Sequence, residues 1–136
     1  MERYVNPEIN QDMPHFTIQG TLPTMNEYLA SEARHPQAGA KMKRDNLQIV
    51  STYLRRDLKR WKTDKPLIIH YRFFEPNKKR DKDNIAFMVL KTVHDAMQKC
   101  GVITNDGWAN IENFTFDFFV DSINPRIEVY LEEINE

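Results

Sequence analysis

The sequence contains one cysteine, four histidines and no long apolar run, and each scarcity excludes a class of protein. Cys100 cannot form an internal disulfide, which predicts a protein of the reducing cytoplasm. One cysteine and scattered histidines give no zinc-ligand spacing, so we expect any metal to be bound by oxygen. No apolar stretch approaches the roughly 20 residues of a membrane span. The first twelve residues lack an apolar segment, so we expect no signal peptide.

At 136 residues, 40% hydrophobic and 29% charged, the chain has the composition of a soluble globular protein. Residues 1–14 predict a loose arm, followed by a single domain over residues 15–136. Residues 41–82 carry 14 basic and five acidic groups, whereas residues 83–136 carry three basic and ten acidic groups. A basic block beside an acidic one suits a metal-using enzyme that binds a polyanion. The alternative is that these charges form solvated faces that pair with one another.

The apolar periodicity predicts strands that alternate with helices. We expect strands over residues 16–20, 66–74, 113–121 and 126–131, and helices over residues 38–62 and 84–100. Residues 21–37 are expected to be irregular because Pro23 and Pro36 interrupt them. The order β-α-β-α-β-β predicts an α/β fold with two layers, a small mixed β-sheet and two helices. The last two strands are predicted to pair as an antiparallel hairpin.

Alternation along the predicted strands assigns their side chains to faces. The strand over residues 113–121 is expected to bury one face, made of Phe114, Phe116, Phe118 and Val120. Asp117 and Asp121 then lie on the opposite face, where we expect them only to aid solubility. We interpret His70 as a hydrogen-bonded sheet histidine rather than a catalyst.

Residues 77–106, NKKRDKDNIAFMVLKTVHDAMQKCGVITND, carry the strongest functional signal. Asp81 and Asp83 follow the basic run of Lys78, Lys79 and Arg80. In an extended segment, carboxylates two residues apart point the same way, and a divalent cation between them relieves their repulsion. The basic run suits a phosphate backbone. Together these features predict a Mg²⁺-dependent nuclease.

Each of these features also has a simpler interpretation. Asp-x-Asp-Asn before a helix is a good N-cap sequence, and Asp83 or Asn84 could cap while Asp81 binds metal. Lys91 and Asp95 are either a surface ion pair or a lysine that stabilises charge on a phosphate, oriented by the aspartate. The basic residues of the first predicted helix either follow a DNA backbone or keep the helix soluble: Lys41, Lys43, Arg44, Arg55, Lys59 and Lys62.

Three segments together carry a family resemblance. They are R-D-x-D-N with the helix and G-V-I-x-x-D that follow it, LPTMNEYLASEARHPQAGAKMK at residues 22–43, and the tail from Asp106-Gly107-Trp108 to residues 124–129. In these segments the chain resembles the RusA family of Holliday-junction resolvases, including phage and prophage members, over about residues 16–133. The resemblance implies that Asp81, Asp83 and Asp106 bind Mg²⁺. It also implies a homodimer that makes paired cuts in four-way DNA junctions during recombination and repair.

The chain departs from the family pattern at two places. Shorter members place their lysine four residues after the second aspartate, where this chain has Phe87, and Lys91 comes eight residues after. The later acidic pair is Asn105-Asp106, so an amide replaces one carboxylate. From charge and resemblance we expect Lys41, Lys43, Arg44, Lys78, Lys79 and Arg80 to contact DNA.

Two other functions fit the sequence, a DNA-binding protein without catalysis and a nuclease that acts mainly on flaps or forks. The reach of the chain raises a further question about the site. A straight helix over residues 84–100 is about 25 Å long, and residues 101–106 return at most about 20 Å. Asp106 therefore falls short of Asp83 unless the helix starts later or bends, or unless Asp106 comes from a second subunit.

Overall fold

The elements follow one another in the order β-α-α-β-α-β-β in the structure, a computed structural model that describes residues 9–135. They are β1 (His15–Gln19), α1 (Met25–Arg34), α2 (Pro36–Leu58), β2 (Leu67–Glu75), α3 (Lys82–Lys99), β3 (Ile111–Val120) and β4 (Arg126–Glu133). The mixed α/β class with a mixed sheet is confirmed. The first eight residues of the expected arm lie outside the described residues. The rest of the arm contacts β4, where the Leu131 amide donates to the Pro14 carbonyl at 2.8 Å.

The prediction of an irregular segment over residues 21–37 is wrong, because α1 occupies most of it. Thr24 is the N-cap, and its hydroxyl accepts from the Glu27 amide at 3.2 Å while the Glu27 carboxylate accepts from the Thr24 amide at 3.4 Å. This reciprocal capping box is readable as T-x-x-E. Pro36 begins α2 instead of breaking a helix, since the first helical turn needs no amide hydrogen from that position. The α2 helix ends at Leu58, because Lys59 takes a positive φ of 58°.

The predicted hairpin between the last two strands is also wrong. The strand order is β1-β4-β2-β3, so β2 lies between β3 and β4. β2 runs parallel to β3 and antiparallel to β4. Seven of the nine residues of β2 are buried, and a buried strand needs a partner on each edge for its backbone groups. The short β3–β4 connection therefore crosses the end of β2, where the Asp121 amide donates to the Glu75 carbonyl at 2.8 Å.

The core lies between the helices and one face of the sheet. Apolar residues of α2 and α3 pack there against alternate residues of β1, β2 and β4, of which Phe16, Tyr71, Phe73 and Val129 are fully buried. The two-layer arrangement follows from this one-sided packing. Gly101 ends α3 with a φ of 77°, as its position after the apolar repeat predicts. No helix of residues 9–135 is both long and apolar enough to cross a bilayer.

The faces of β3 differ from the prediction. Phe114 is 40% exposed and Val120 is 38% exposed, because β3 is the edge strand and no element lies beyond it among the described ones. Asp117, expected to be solvated, is 8% exposed. Its Oδ2 has no hydrogen-bond partner, and burial raises the pKa of its carboxyl while the charge of Arg72 opposes that rise. Asp121 also has a structural partner, because its Oδ2 accepts a hydrogen bond from Arg126 Nη1 at 3.0 Å.

We predict that Asp117→Asn stabilises the protein at pH 7 by about 1 kcal/mol, or about 3 °C in Tm. The folded-state pKa of this carboxyl lies above its unfolded value. The ionised group therefore destabilises the native state at neutral pH, and that penalty disappears below the unfolded pKa, where both states are protonated. Thermal unfolding at pH 7 and pH 3 should show a gain only at pH 7. The exposed Glu112→Gln in the same strand is the control, and a variant less stable than wild type at pH 7 would contradict the prediction.

Candidate functional site

Asp81 and Asp83 lie where the chain enters α3, but not in the extended segment that the sequence suggested. The helix begins at Lys82, so only Asp81 has extended backbone and Asp83 is already helical. Asp81 occupies the N-cap position, yet its side chain makes no capping hydrogen bond. Asp83 Oδ1 accepts only from the amide of the next residue, at 3.0 Å. Both side chains are exposed, and no described cation forms an ion pair with either.

Arg80, immediately before Asp81, is held inside the fold. Its Nε and Nη2 donate to the two carboxylate oxygens of Glu75 at 2.9 and 3.0 Å, and its Nη1 donates to the Leu22 carbonyl at 2.8 Å. Glu27 Oε1 lies 3.8 Å from the same guanidinium. Glu75 is buried at the end of β2, so the pair fixes the chain just before the aspartates. This arginine is therefore engaged within the protein rather than extended toward solvent.

The other basic residues of the loop remain available to a ligand. Lys78 and Lys79 are exposed and form no ion pair with a described residue. The loop itself is ordered by Asn77, whose Oδ1 accepts from the Lys79 amide at 3.0 Å. Two free cations thus stand next to two free carboxylates.

The predicted DNA contacts on α2 are partly engaged within the chain. Lys41 forms an exposed pair with Asp45, with 2.6 Å between Nζ and Oδ2. The Lys43 ammonium lies 4.9 Å from the centre of the Tyr28 ring, and a hydrogen bond to Tyr28 is the main cause of its raised pKa. Arg44 is exposed. Of the three, Arg44 has the fewest internal ties.

The remaining predicted site residues lie further along α3. Lys91 Nζ and Asp95 Oδ1 are 3.3 Å apart, and both side chains are well exposed, so the expected i,i+4 pair is present. Asp106 follows α3, in the turn before β3. Burial lowers the pKa of His94, and the charge of Asp106 opposes that shift. His94 is about three helical turns beyond Asp83 on α3.

His94 is a residue that the sequence reasoning missed. It is 9% exposed, and its Nε2 has no hydrogen-bond partner among the described groups. Burial lowers the pKa of the imidazole, with Asp106 and Asp95 opposing and Lys91 reinforcing the shift. The sequence did indicate its position, because His94 follows Lys91 by three residues and so lies on the same side of the helix.

The three predicted metal ligands come from two segments, the start of α3 for Asp81 and Asp83 and the turn before β3 for Asp106. Over residues 9–135, no group of three histidine, cysteine, aspartate or glutamate side chains is placed to hold a metal ion. Asp81 and Asp83 lie at the N-terminal end of α3, whereas Asp106 follows its C-terminal end. His70, by contrast, is fully buried in the sheet, with Glu132 Oε1 at 2.8 Å from its Nε2 and Thr115 Oγ1 at 2.7 Å from its Nδ1.

The chain matches no protein-family model and no curated protein.

We predict that Arg80→Gln destabilises the protein by about 3 kcal/mol, because it leaves the buried Glu75 carboxylate without its cation. Urea unfolding measures the loss. Lys41→Gln is the matched control, since its exposed pair with Asp45 should contribute at most about 0.5 kcal/mol. Equal stability of Arg80→Gln and wild type would show that the Glu75 pair does not anchor the loop.

Proposed function

We propose that the protein is a Mg²⁺-dependent, structure-selective endonuclease that resolves four-way DNA junctions by paired cuts. The observation that supports this proposal most is that the Asp81 side chain makes no capping hydrogen bond. The N-cap position would explain an aspartate there if its side chain accepted a backbone hydrogen bond, but it accepts none. A carboxylate without a capping hydrogen bond, beside Asp83 and two lysines that form no ion pair with a described residue, suits a place where a cation and a phosphate are bound.

The donor set of Asp81 and Asp83 fits Mg²⁺. Both supply carboxylate oxygens, and neither carboxylate is neutralised by a described cation. Magnesium keeps several of its waters and is commonly bound through one or two protein carboxylates, so two are sufficient. When bound, the ion polarises the scissile phosphate and makes an attacking water more acidic.

The chain's own cations are proposed to hold the DNA. Lys78 and Lys79 bind phosphates beside the aspartates, since their ammonium groups are exposed and form no ion pair with a described residue. Lys91 opposes negative charge that builds up on the phosphate, and Asp95 orients the ammonium through their 3.3 Å contact. Arg80 acts as a positioning residue because its guanidinium is taken up by Glu75.

Asp106 is proposed to act in the site of a second subunit. Eleven helical residues separate Asp83 from His94, which is about 16 Å along α3. Lys82 Nζ lies 5.5 Å from the Phe118 ring, whereas the His94 ring lies 6.3 Å from that of Phe114. The two locations therefore lie beside different ends of β3.

A two-fold axis across β3 would bring these locations together. β3 pairs only with β2 among the described strands, so its second edge is open, and the neighbouring Phe87 on α3 is 53% exposed. Two copies of β3 placed antiparallel would set the Phe118 end of one beside the Phe114 end of the other. The partner's Asp106 would then approach Asp81 and Asp83. A C₂ dimer of this kind also supplies two sites for the two cuts in a symmetric junction.

The second candidate is a DNA-binding protein without catalysis, in which the same exposed lysines bind phosphate and the aspartates bind no metal. Incubation with a four-way junction, a flap, a fork and a plain duplex, in Mg²⁺ or in EDTA, separates the candidates. The proposal requires Mg²⁺-dependent cutting of the junction in preference to the others.

We predict that Asp81→Asn and Asp83→Asn abolish junction cleavage while junction binding stays equal or becomes tighter. Each change removes a charge that the cation needs and that the DNA backbone repels. Cleavage in Mg²⁺ and binding in EDTA are measured separately, with the exposed Glu32→Gln as a control that should cut normally. Near wild-type cleavage by either aspartate variant would refute the metal assignment.

We predict that a mixed dimer of an Asp81→Asn/Asp83→Asn subunit and an Asp106→Asn subunit nicks junctions. If sites are shared between subunits, one site of this dimer carries all the damage and the other is intact. Differently tagged subunits allow the mixed dimer to be purified and assayed on a junction labelled in each strand. A mixed dimer that binds the junction but makes no cut would place each site within one subunit.

A further inference from the structure

Trp108 is 98% exposed, more than any other large apolar residue that the structure describes. It lies in the turn between α3 and β3, two residues after Asp106. The turn is ordered, because the amides of Asn110 and Ile111 donate to the Gly107 carbonyl at 3.1 and 3.0 Å. An indole is rarely left in water, since its burial would release a large apolar area. A fixed turn that presents one to solvent indicates a binding surface.

A cationic loop lies against this turn. The α2–β2 loop, residues 59–66, is bonded to both flanks of the turn. The Thr63 amide donates to the Val102 carbonyl at 3.0 Å, and the Leu67 amide at the start of β2 donates to the Asn110 carbonyl at 2.9 Å. The loop carries four exposed cations and one acid, and none of the cations forms an ion pair with a described residue: Lys59, Arg60, Lys62 and Lys65. Lys65 has one neutral partner, the Asn135 side chain at 2.9 Å.

We propose that Trp108 and the cations of the α2–β2 loop bind an unpaired nucleotide of a DNA strand, with the indole stacked on the base. Every base has a π-face, and a positive surface beside an aromatic ring is the usual chemistry for single strands. The ammonium and guanidinium groups hold the adjoining phosphates. The site rests on the proposed function in one respect, since the opened strand near a branch point would supply the base next to Asp106.

A protein partner fits this surface less well. An apolar partner would bury Trp108 but would also desolvate the neighbouring cations without neutralising them. A second copy of this chain offers no such compensation in the loop itself, where cations outnumber acids four to one. A DNA strand suits both, because its phosphates neutralise the cations and an unpaired base covers the indole.

The test uses Trp61→Phe protein, in which Trp108 is the remaining tryptophan. The probes are a twelve-nucleotide thymidine strand, a blunt hairpin duplex and a four-way junction, all in EDTA. We expect the single strand and the junction to quench Trp108 fluorescence more than the duplex does. In wild-type background, Trp108→Ala should weaken single-strand binding about 5-fold to 150-fold, the range for one base–aromatic stack. Trp108→Phe should recover most of the affinity.

The matched control is Ile123→Ala, which removes an equally isolated apolar side chain that is 94% exposed in the β3–β4 connection. It should bind the single strand as wild type does. The proposal fails if Trp108→Ala binds like the control, if no quenching occurs, or if Trp108→Ala converts a dimer to a monomer in sedimentation. Binding in EDTA is independent of cutting. A protein that never cleaves but shows the expected quenching would therefore refute the nuclease and retain this site.

Discussion

The ion pair between Glu75 and Arg80 fixes the geometry on which the candidate site depends. Glu75 is the last residue of β2 and belongs to the buried face of that strand, so its carboxylate needs a cation nearby. Arg80 supplies two parallel hydrogen bonds and uses its remaining nitrogen on the Leu22 carbonyl. Only a short loop separates the two residues, so the chain turns sharply and Asp81 comes to the N-cap position of α3.

Glu75 and its partner Arg80 connect β2 with three other parts of the molecule. Arg80 brings in the loop before α3 and, through Leu22 and Glu27, the start of α1. The Glu75 carbonyl accepts from Asp121, which brings in the β3–β4 connection. The end of β2 therefore fixes the positions of two loops, the one before α3 and the β3–β4 connection. A planar guanidinium is suited to this task, whereas lysine could not make the bidentate contact.

Sequence patterns predicted the elements whose apolar repeat is complete, and missed those whose position depends on distant partners. The α3 helix and β2 carry regular apolar repeats and were found within two residues of their observed bounds. The α1 helix was missed because Pro23 and Pro36 were interpreted as breakers, although its capping box is a local signal. The β3–β4 pairing was wrong because neighbouring strands usually pair, but here the burial of β2 on both edges required two partners.

The site was predictable to the same extent. The two aspartates, the free lysines and the pair of Lys91 with Asp95 follow from local sequence, because each depends on residues within one helix or loop. The burial of Asp117 and the position of His94 beside Asp106 depend on how β3 packs, which a single strand's alternation does not specify. Helix length alone raised the question of whether Asp106 reaches Asp83 within one chain, because the rise per helical residue is fixed.

Part of the positive charge of residues 41–82 is paired with acids. Four arginines of the described chain form such pairs: Arg56 with Asp57, Arg72 with Glu128, Arg80 with Glu75, and Arg126 with Asp121 and Glu128. The lysines of the two loops beside α3, and Arg60 in one of them, have no acidic partner among the described residues. The basic excess of residues 41–82 therefore overstates the charge that can meet a polyanion. Among the unpaired cations, two groups lie at opposite ends of α3, beside Asp81 at one end and beside Trp108 at the other. A DNA strand that touched both ends would have to run along the helix, past Lys91 in the middle, and that path is where a branched substrate would meet all the proposed groups at once.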